Sequence, residues 1–209
     1  MKTYPSITTK IDFSKEYYLF DKLDGSNIRA EWSKKQGFYK FGSRTQLLTP
    51  EQANLYPAIE RIKSMKTYFG DLLSNKLAGY KYDSAVCFFE WHGPQSFAGN
   101  HYDHVDDMQA TLIDVSVYKQ GILNPETYVK MFSDCGLPKL LHKGKITEEI
   151  FQSVRNRTLE GMTFEGVICK EAGVNKHGRH AMAKIKSNDW LNQLKEHCNG
   201  DQKLFDRLK

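Results

Sequence analysis

The chain has 209 residues and a net charge of +5, which suits one well-buried core and favours a polyanionic partner. Its four cysteines are far apart and form no CxxC pair, which supports neither a zinc knuckle nor a disulfide framework. No stretch approaches the ~20 apolar residues of a membrane span. The polar start of the chain also lacks the apolar core of a signal peptide, so we expect a cytoplasmic protein without membrane contact.

The first third of the chain predicts strands followed by a helix. Aromatic and aliphatic residues bounded by Gly and Ser indicate three successive strands joined by tight turns, at 17–23, 27–33 and 37–43. Asp24 and Gly25 lie in the first of these turns. Thr49-Pro50-Glu51-Gln52 has the composition of a capped helix start, and the helix runs towards Phe69 with a kink at Pro57.

The rest of the chain predicts antiparallel sheet and three further helices. Strand signals occur at 84–91, 111–118, 163–170 and 181–186, with a turn at 176–179 between the last two. The first of these segments is nearly all apolar, which predicts a central position in a sheet. Asn124-Pro125 begins a second capped helix that ends at Gly136, Thr147 caps a third, and 189–197 forms a closing helix. The pattern indicates an α+β domain rather than alternating parallel units.

The segment Lys22-Leu23-Asp24-Gly25 has the pattern K-x-D-G. Alone, this pattern is compatible with a surface turn that carries an exposed lysine. Its place at the end of an apolar strand would instead direct the amine of Lys22 from a rigid support into a groove, where a nucleophile is useful. A free lysine with a pKa of ~10.4 is almost fully protonated at neutral pH. We therefore expect nearby cations to lower the pKa of Lys22.

Two such cations are Lys184 and Lys186, which are spaced i and i+2 in a predicted strand and therefore emerge on one face. Like charges side by side repel each other, whereas phosphates opposite them would make the pair favourable. The alternative interpretation is a solvated basic edge strand.

Two acidic residues lie at or inside otherwise apolar strands. Glu90 follows the apolar run 85–89, and Glu165 lies within Phe164-Glu165-Gly166-Val167-Ile168. A buried carboxylate is costly unless it is paired, hydrogen-bonded or bound to a cation. Hydrated magnesium, a ribose hydroxyl or the lysine amine would each supply a partner. A salt bridge to a core arginine is the structural alternative.

Two further features have both a functional and a structural interpretation. Arg44 follows the third strand, where its guanidinium would either clamp a phosphate or a terminal ribose, or simply face solvent. The segment 100–107 contains two histidines and several aspartates. It fits either a transition-metal site or, as we expect, a solvated loop that borders the groove.

The order of these features resembles the motif set of the covalent nucleotidyltransferases, which comprise ATP-dependent DNA ligases, RNA ligases and mRNA capping enzymes. The resemblance runs from Lys22 to Lys186 and is close in type and spacing at 165–170 and 183–186. Asn27 lies five residues beyond Lys22, where DNA ligases and capping enzymes typically have arginine and the RNA ligase 2-like branch has asparagine. The chain therefore looks like an RNA ligase 2-like enzyme. This resemblance implies two antiparallel sheets with flanking helices and a nucleotide groove between them.

The resemblance also implies roles in catalysis and in binding ATP and metal. Lys22 would carry AMP from ATP as a covalent lysyl-AMP, and Lys184 and Lys186 would act in catalysis by contacting the phosphates. Glu165 would orient the lysine and hold Mg²⁺ or Mn²⁺. Glu90 would bind a ribose hydroxyl and contact the metal through water. The other residues implied in binding the adenylate or the polynucleotide ends are Asp24, Gly25, Asn27, Arg44 and Val167.

The residue that stacks on the adenine is less clear from the sequence. The resemblance implies an aromatic residue, often Phe, in the strand after Glu90. This strand offers only Leu112 or Ile113 at that place. The stacking position therefore stays open between these two residues.

These expectations describe an ATP-dependent RNA ligase, an enzyme suited to RNA repair that joins 5′-phosphate and 3′-hydroxyl ends. Its partners would be RNA ends in nicked duplexes or single strands, with DNA and RNA–DNA hybrids as alternatives, and we expect a monomer. The alternative functions are a small ATP-dependent DNA ligase and a non-catalytic nucleic-acid-binding relative. Only residues 187–209 follow the last motif. We therefore expect one catalytic domain over 1–209, with a short helical appendage at 187–209 and no OB-fold domain.

Overall fold

The computed structural model describes residues 1–49, 55–79, 83–99, 107–173 and 181–209, apart from the side chains of 66–68. Its strands are β1 (Glu16–Asp21), β2 (Gly25–Ser33), β3 (Gly37–Gly42), β4 (Ser84–His92), β5 (Gln109–Val117), β6 (Gly121–Ile122), β7 (Leu140–Lys145), β8 (Gly166–Glu171) and β9 (Met182–Lys186). Its helices are α1 (Tyr56–Ser64), α2 (Lys66–Lys76), α3 (Pro125–Phe132), α4 (Glu148–Arg155), α5 (Asn188–His197) and α6 (Gln202–Leu208).

The strands form two antiparallel sheets. The first sheet has the order β7-β1-β8-β9, and the second has the order β3-β2-β4-β5-β6. The predicted α+β fold, with two antiparallel sheets and flanking helices, is confirmed. β4 lies at the centre of the five-stranded sheet, as its apolar composition predicts, because a strand between two neighbours is buried along most of its length.

Lys22, Leu23 and Asp24 connect the two sheets. β1 pairs with β7 and β8, whereas β2 pairs with β3 and β4, so the chain leaves one sheet after Asp21 and enters the other at Gly25. The tight turn predicted at Asp24 and Gly25 is therefore wrong, because Gly25 already begins β2 and the link before it crosses from one sheet to the other. A pattern of apolar residues marks a strand but does not identify the strand with which it pairs. The crossing places Lys22 at the gap between the sheets.

Alternate residues of β1 face two separate cores. Tyr18 and Phe20 belong to the larger core, in which one face of the five-stranded sheet packs against α1, α2 and α3. Tyr17 and Leu19 belong to a second core beneath α4. All four side chains are at most 5% exposed, and apolar burial at ~25 cal/mol per Å² is the main stabilising term for such a strand. β1 is thereby held on both faces up to the residue before Lys22.

Side chains cap the starts of several helices. Asn124 and Thr147 each accept a hydrogen bond from the backbone N–H three residues later, and they begin α3 and α4 as predicted. Ser187 caps α5 in the same way. α3 is followed by a short 3₁₀ turn and by Gly136, whose φ of 64° is left-handed, so the predicted end of this helix is confirmed.

Several elements differ from the expectations. Pro57 lies in the first turn of α1 and does not kink the helix. Backbone N–H groups in the first turn have no partner within the helix, so a proline, which lacks this N–H, is tolerated there. The single helix expected in this region is two helices, α1 and α2. β7 has no counterpart among the predicted strands, because its sequence LLHKGK lacks the alternation of a half-buried strand.

Three sequence expectations lie wholly or mainly outside the described residues. These are the helix start at Thr49 to Gln52, the loop at 100–107 and the turn at 176–179. Among the described helices, none combines the length and the apolar composition needed to span a membrane.

Candidate active-site groove

A groove of about 470 Å³ lies between the two sheets and contains the K-x-D-G segment. Residues from widely separated motifs meet there, because β1, β2, β4, β8 and β9 all end or pass beside it. The groove is lined by nine of the residues predicted for binding or catalysis, namely Lys22, Asp24, Gly25, Asn27, Arg44, Glu90, Glu165, Lys184 and Lys186.

Two glycines allow the strands around the groove to approach closely. A Cβ on Gly25 would lie 2.2 Å from the carbonyl oxygen of Trp91, and one on Gly166 would lie 2.0 Å from that of Ile185. Gly166 also has a φ of 139°, a conformation that disfavours any side chain. The backbone N–H of Lys22 donates to the carbonyl oxygen of Gly166 at 2.9 Å. These glycines therefore bring the K-x-D-G and Glu-Gly-Val-Ile motifs together.

The carboxylate of Glu165 lies between two ammonium groups. Its Oε2 is 2.8 Å from Nζ of Lys22, and its Oε1 is 2.9 Å from Nζ of Lys186. Glu165 is 3% exposed, so these ion pairs replace the water that a carboxylate needs. Its partners are lysines and not the core arginine of the structural alternative. Two cations around one carboxylate leave positive charge available for a phosphate.

The pKa of Lys22 is raised rather than lowered. Burial alone would lower the pKa, but the carboxylates of Glu165, Glu90 and Asp24 together outweigh burial. The expectation that neighbouring cations lower the pKa of Lys22 is therefore wrong for this structure. The physical reason is that the nearest charge to this ammonium is the carboxylate that it shares with Lys186.

Lys184 and Lys186 lie on the same side of the groove, as their spacing predicts. Burial lowers the pKa of Lys186 to about 8; Glu165 opposes this shift, and Lys22 adds to it. Burial also lowers the pKa of Lys184, and repulsion from Lys22 acts in the same direction. The ammonium of Lys184 donates to the backbone carbonyl oxygen of Lys209 at 2.9 Å. Both lysines are thus partly desolvated cations beside Lys22.

Glu90 and Asn27 face each other across β4 and β2. Burial raises the pKa of Glu90 to about 8, and Lys22 opposes this rise. The Oδ1 atom of Asn27 is buried and forms no hydrogen bond with any described residue. Because an unpaired acceptor costs ~1–3 kcal/mol, a donor group on a ligand would stabilise this part of the groove. Arg44 is exposed at the rim, and its charge acts on Glu90.

The apolar wall of the groove includes Ile113 and Ile168. Val167 is instead fully buried in the core beneath α4. Consecutive residues of a strand face opposite sides, so Ile168 occupies the groove position that the resemblance implies for Val167. Leu112 is 1% exposed in the larger core. Of the two candidates for stacking on a base, Ile113 is therefore the one that lines the groove.

Trp190, in the first turn of α5, lines the groove and has no counterpart in the predicted site. Its Nε1–H donates to Oδ1 of Asp24 at 3.0 Å, and Oδ2 of Asp24 accepts the backbone N–H of Ala98 at 2.7 Å. The ammonium of Lys186 lies 3.3 Å from the centroid of the Trp190 ring. The sequence signal for Trp190 is Ser187, a residue type that often caps the start of a helix. Trp190 is the third residue after this cap and therefore lies in the first turn of α5.

The segment 1–8 also contributes to the groove, although no motif marks it. Tyr4 lines the groove, and its hydroxyl donates to Oδ2 of Asp114. Oδ1 of Asp114 lies 2.9 Å from Nζ of Lys170. Thr8 pairs with β9 through a hydrogen bond from its backbone N–H to Met182 at 3.2 Å. Lys170, which belongs to a buried ion pair, and a segment distant in sequence thus form part of the wall.

The groove offers oxygen ligands for a divalent ion. Glu165 and Glu90 both line it. No group of three or more His, Cys, Asp or Glu that could hold a metal occurs among the described residues. Mg²⁺ is commonly bound by one or two carboxylates together with waters and substrate phosphates, and carboxylates also suit Mn²⁺. The residues present therefore fit a divalent ion that binds together with a nucleotide.

Solved structures of Naegleria gruberi RNA ligase are similar to this chain. An arginine-to-alanine variant with ATP and Mn aligns with a TM-score of 0.60 and 18% identity, covering 92% of this chain and 60% of that chain. A lysine-to-methionine variant with AMP and Mn gives a TM-score of 0.58 and 18% identity, covering 91% and 59%. A structure with PPi gives 0.58 and 17%, covering 87% and 52%. The chain has the fold of an RNA ligase nucleotidyltransferase domain.

The RNA ligase fold is supported by structure and not by close sequence similarity. The chain spans 52% to 60% of the length of these three solved chains. No family model matches the sequence, and no curated protein matches it. The arguments for what the groove does therefore depend on its own residues.

Proposed function

We propose that the chain is an ATP-dependent RNA ligase that joins the 5′-phosphate and 3′-hydroxyl ends of RNA. The observation that carries this proposal is the position of Lys22, whose Nζ lies 2.8 Å from Glu165 in a groove that also contains Lys186. Nucleotidyl transfer to an amine needs a held nucleophile, a group that takes up its proton and cations that balance the phosphates. The groove contains residues of all three kinds.

In the first step, Nζ of Lys22 would attack the α-phosphorus of ATP, and the bond to pyrophosphate would break. Glu165 holds the amine and is the nearest group that can take up its proton, at 2.8 Å. Lys184 and Lys186 would balance the charge that develops on the phosphates and on the leaving pyrophosphate. Mg²⁺ or Mn²⁺, held by Glu165 and Glu90 directly or through water, would supply further positive charge there when bound.

In the later steps, AMP would pass from Lys22 to the 5′-phosphate of an RNA end, and attack by a 3′-hydroxyl would join the ends and release AMP. The unpaired Oδ1 of Asn27 and the exposed guanidinium of Arg44 support roles for these residues in binding the adenylate or the ends. Both side chains line the same groove as Lys22.

Separate observations support ATP and a divalent metal as the ligands and RNA as the substrate. The Naegleria gruberi structures contain ATP, AMP, PPi or Mn, which supports ATP and a divalent metal as ligands of the groove. Asparagine at position 27, where DNA ligases typically have arginine, favours RNA over DNA as the substrate.

The proposal is tested by incubating purified protein with Mg²⁺ or Mn²⁺ and ATP labelled at the α-phosphate. We expect label that stays on the protein after denaturation, and its transfer to RNA when a 5′-phosphorylated strand is added. Lys22→Ala should carry no label. Lys195→Ala, which changes an exposed lysine on α5, is the matched control and should retain it. A wild-type protein that gains no label contradicts the proposal.

Two outcomes would support the alternative functions instead. Sealing of nicked duplexes that is faster with DNA than with RNA on the 3′-hydroxyl side would indicate a small DNA ligase. Salt-dependent RNA binding without any adduct would indicate a non-catalytic nucleic-acid-binding protein.

A further inference from the structure

Five side chains of the groove form a continuous series of contacts. Lys22 contacts Glu165 at 2.8 Å, and Glu165 contacts Lys186 at 2.9 Å. The ammonium of Lys186 lies 3.3 Å from the ring centroid of Trp190. The Nε1–H of Trp190 donates to Asp24 at 3.0 Å. Because Asp24 is two residues from Lys22, the backbone of the K-x-D-G motif closes the series.

The start of α5 determines where the Trp190 ring lies. Ser187, which directly follows Lys186, accepts a hydrogen bond from the backbone N–H of Trp190 at 3.1 Å. The hydroxyl of Ser187 donates to the carbonyl oxygen of Phe164 at 2.7 Å. The backbone N–H of Ser187 donates to the carbonyl oxygen of Glu165 at 2.9 Å. Trp190 is 4% exposed. The helix cap therefore folds the ring back over Lys186 and ties this turn to Glu165.

The ring attracts Lys186 in a way that differs from the charged groups described around it. The charges that act on Lys186 from the adjacent elements are Glu165, which attracts it, and Lys22 and Lys184, which repel it. The face of an indole attracts an ammonium through its π electrons and carries no net charge. A second carboxylate at this place would also hold the lysine, but it would repel phosphates. An uncharged ring therefore holds the cation and leaves its charge available.

We propose that Trp190 is a positioning residue for adenylation of Lys22: its ring holds the ammonium of Lys186 in the groove, and its bond to Asp24 keeps the ring in place. This inference rests on the proposed function, in which Lys186 balances the phosphates of ATP. It also gives Asp24 a structural partner that the K-x-D-G pattern alone does not reveal.

The test is the rate of lysyl-AMP formation measured over a range of ATP concentrations. Trp190→Leu keeps an apolar side chain but removes the ring, so we expect kcat to fall about tenfold while KM changes by less than about threefold. Trp190→Phe keeps an aromatic face but loses the bond to Asp24 and part of the indole area, so its rate should lie between those of Trp190→Leu and the wild type. If Trp190→Leu does not fold, Trp190→Met makes the same comparison with a more adaptable side chain.

A double-mutant cycle separates positioning from general packing. In a Lys186→Ala background, Trp190→Leu should cause no further loss of kcat, because the ammonium that the ring holds is gone. Phe97→Leu is the matched packing control, since its ring meets Trp190 edge to face at 5.7 Å. It should lower thermal stability without lowering kcat. Additive losses in the cycle, or an equal loss of kcat in Phe97→Leu, would overturn the inference.

The same experiment distinguishes this inference from the proposed function. If wild-type protein forms no adduct, the proposed function fails and the role of Trp190 fails with it. If wild-type protein forms the adduct and Trp190→Leu forms it at the same rate, only the inference about Trp190 is wrong.

Discussion

Strand β8 has a buried lysine–carboxylate cluster near each of its ends, and the two clusters differ in their balance of charge. Just before the strand, Glu165 contacts both Lys22 and Lys186. Near its far end, Lys170 contacts a single carboxylate, Asp114. The first cluster has a surplus cation and the second has none. A surplus cation at low exposure suits a phosphate-binding site, whereas each charge of a balanced buried pair is needed mainly to compensate the other.

The two clusters also differ in how far their lysines are exposed and in the groups that surround them. Lys170 and Asp114 have side chains 6% and 1% exposed, and Lys170 also donates to the carbonyl oxygen of Ile113 at 2.7 Å. Its ammonium lies 4.8 Å and 4.4 Å from the ring centroids of Phe20 and Tyr128. The side chain of Lys22 is 18% exposed and opens to the groove. One lysine is enclosed by partners, and the other is accessible to a ligand.

Lys22→Ala should have the largest effect on activity and little effect on stability. Lysyl-AMP formation should be lost completely because the proposed nucleophile is gone. Glu165 keeps Lys186 as a partner, so the loss in the free energy of unfolding should stay well below the ~3–5 kcal/mol that follows when a buried charge loses its only partner. Urea unfolding beside the adduct assay checks both parts. A loss of several kcal/mol would show that the surplus cation is required for the fold.

Lys170→Met should have the opposite profile. It leaves the carboxylate of Asp114 buried without its cation, which typically costs ~3–5 kcal/mol. Urea unfolding measures this loss. Lys170→Met combined with Asp114→Leu removes both charges and should recover part of the stability. If the single variant is as stable as the wild type, the balanced pair has no structural role.

Tyr4→Phe should have a smaller effect at the same cluster. It keeps the ring, which packs against Phe88 with centroids 4.9 Å apart, and removes the hydroxyl that donates to Asp114. We expect a loss of ~1–2 kcal/mol in the free energy of unfolding. Tyr118→Phe, at an exposed tyrosine, is the control and should change stability far less. Equal effects of the two substitutions would argue against the Asp114 bond.

Glu90→Gln should change how the free energy of unfolding depends on pH, and its effect on stability should be the smallest of the four. Burial raises the pKa of Glu90 from 4.5 to about 8, so between these values the folded protein binds more protons than the unfolded chain. Stability from this group is present below pH 4.5 and lost as the pH rises through about 8. The ligand-free variant should therefore gain on the order of 1 kcal/mol relative to wild type between about pH 6 and pH 9. If the free energy of unfolding depends on pH in the same way in Glu90→Gln and in the wild type, this prediction is wrong.

The order of the motifs was enough to predict the fold and to name nine residues that line the groove. The sequence was enough to predict that Lys22, Glu165 and Lys186 meet. A series of motifs specifies both the residue types and their order along the chain, and each residue type has a chemical reason to lie in such a site. β4 was predictable as a central strand for a similar reason, since a short, nearly continuous apolar run is typical of a strand with neighbours on both sides. Local patterns of this kind are visible without knowing which strands pair.

The remaining features depend on contacts between distant parts of the chain. The crossing at Lys22 to Asp24, which the sequence presents as a turn, depends on strand pairing that a periodic pattern does not specify. Val167 and Ile168 are chemically alike, so which of them faces the groove follows only from the register of β8. Trp190 has the pattern of an ordinary helical core residue, and its place in the groove depends on its bond to Asp24, which lies 166 residues earlier in the chain.

The most direct test of the central claim is mass spectrometry of peptides from the protein after incubation with ATP and Mg²⁺ or Mn²⁺. The account predicts one AMP on Nζ of Lys22, which is held against Glu165 at 2.8 Å. It also predicts unmodified Lys184 and Lys186. AMP on a different lysine, or no modified peptide at all, would contradict the assignment of Lys22 as the nucleophile.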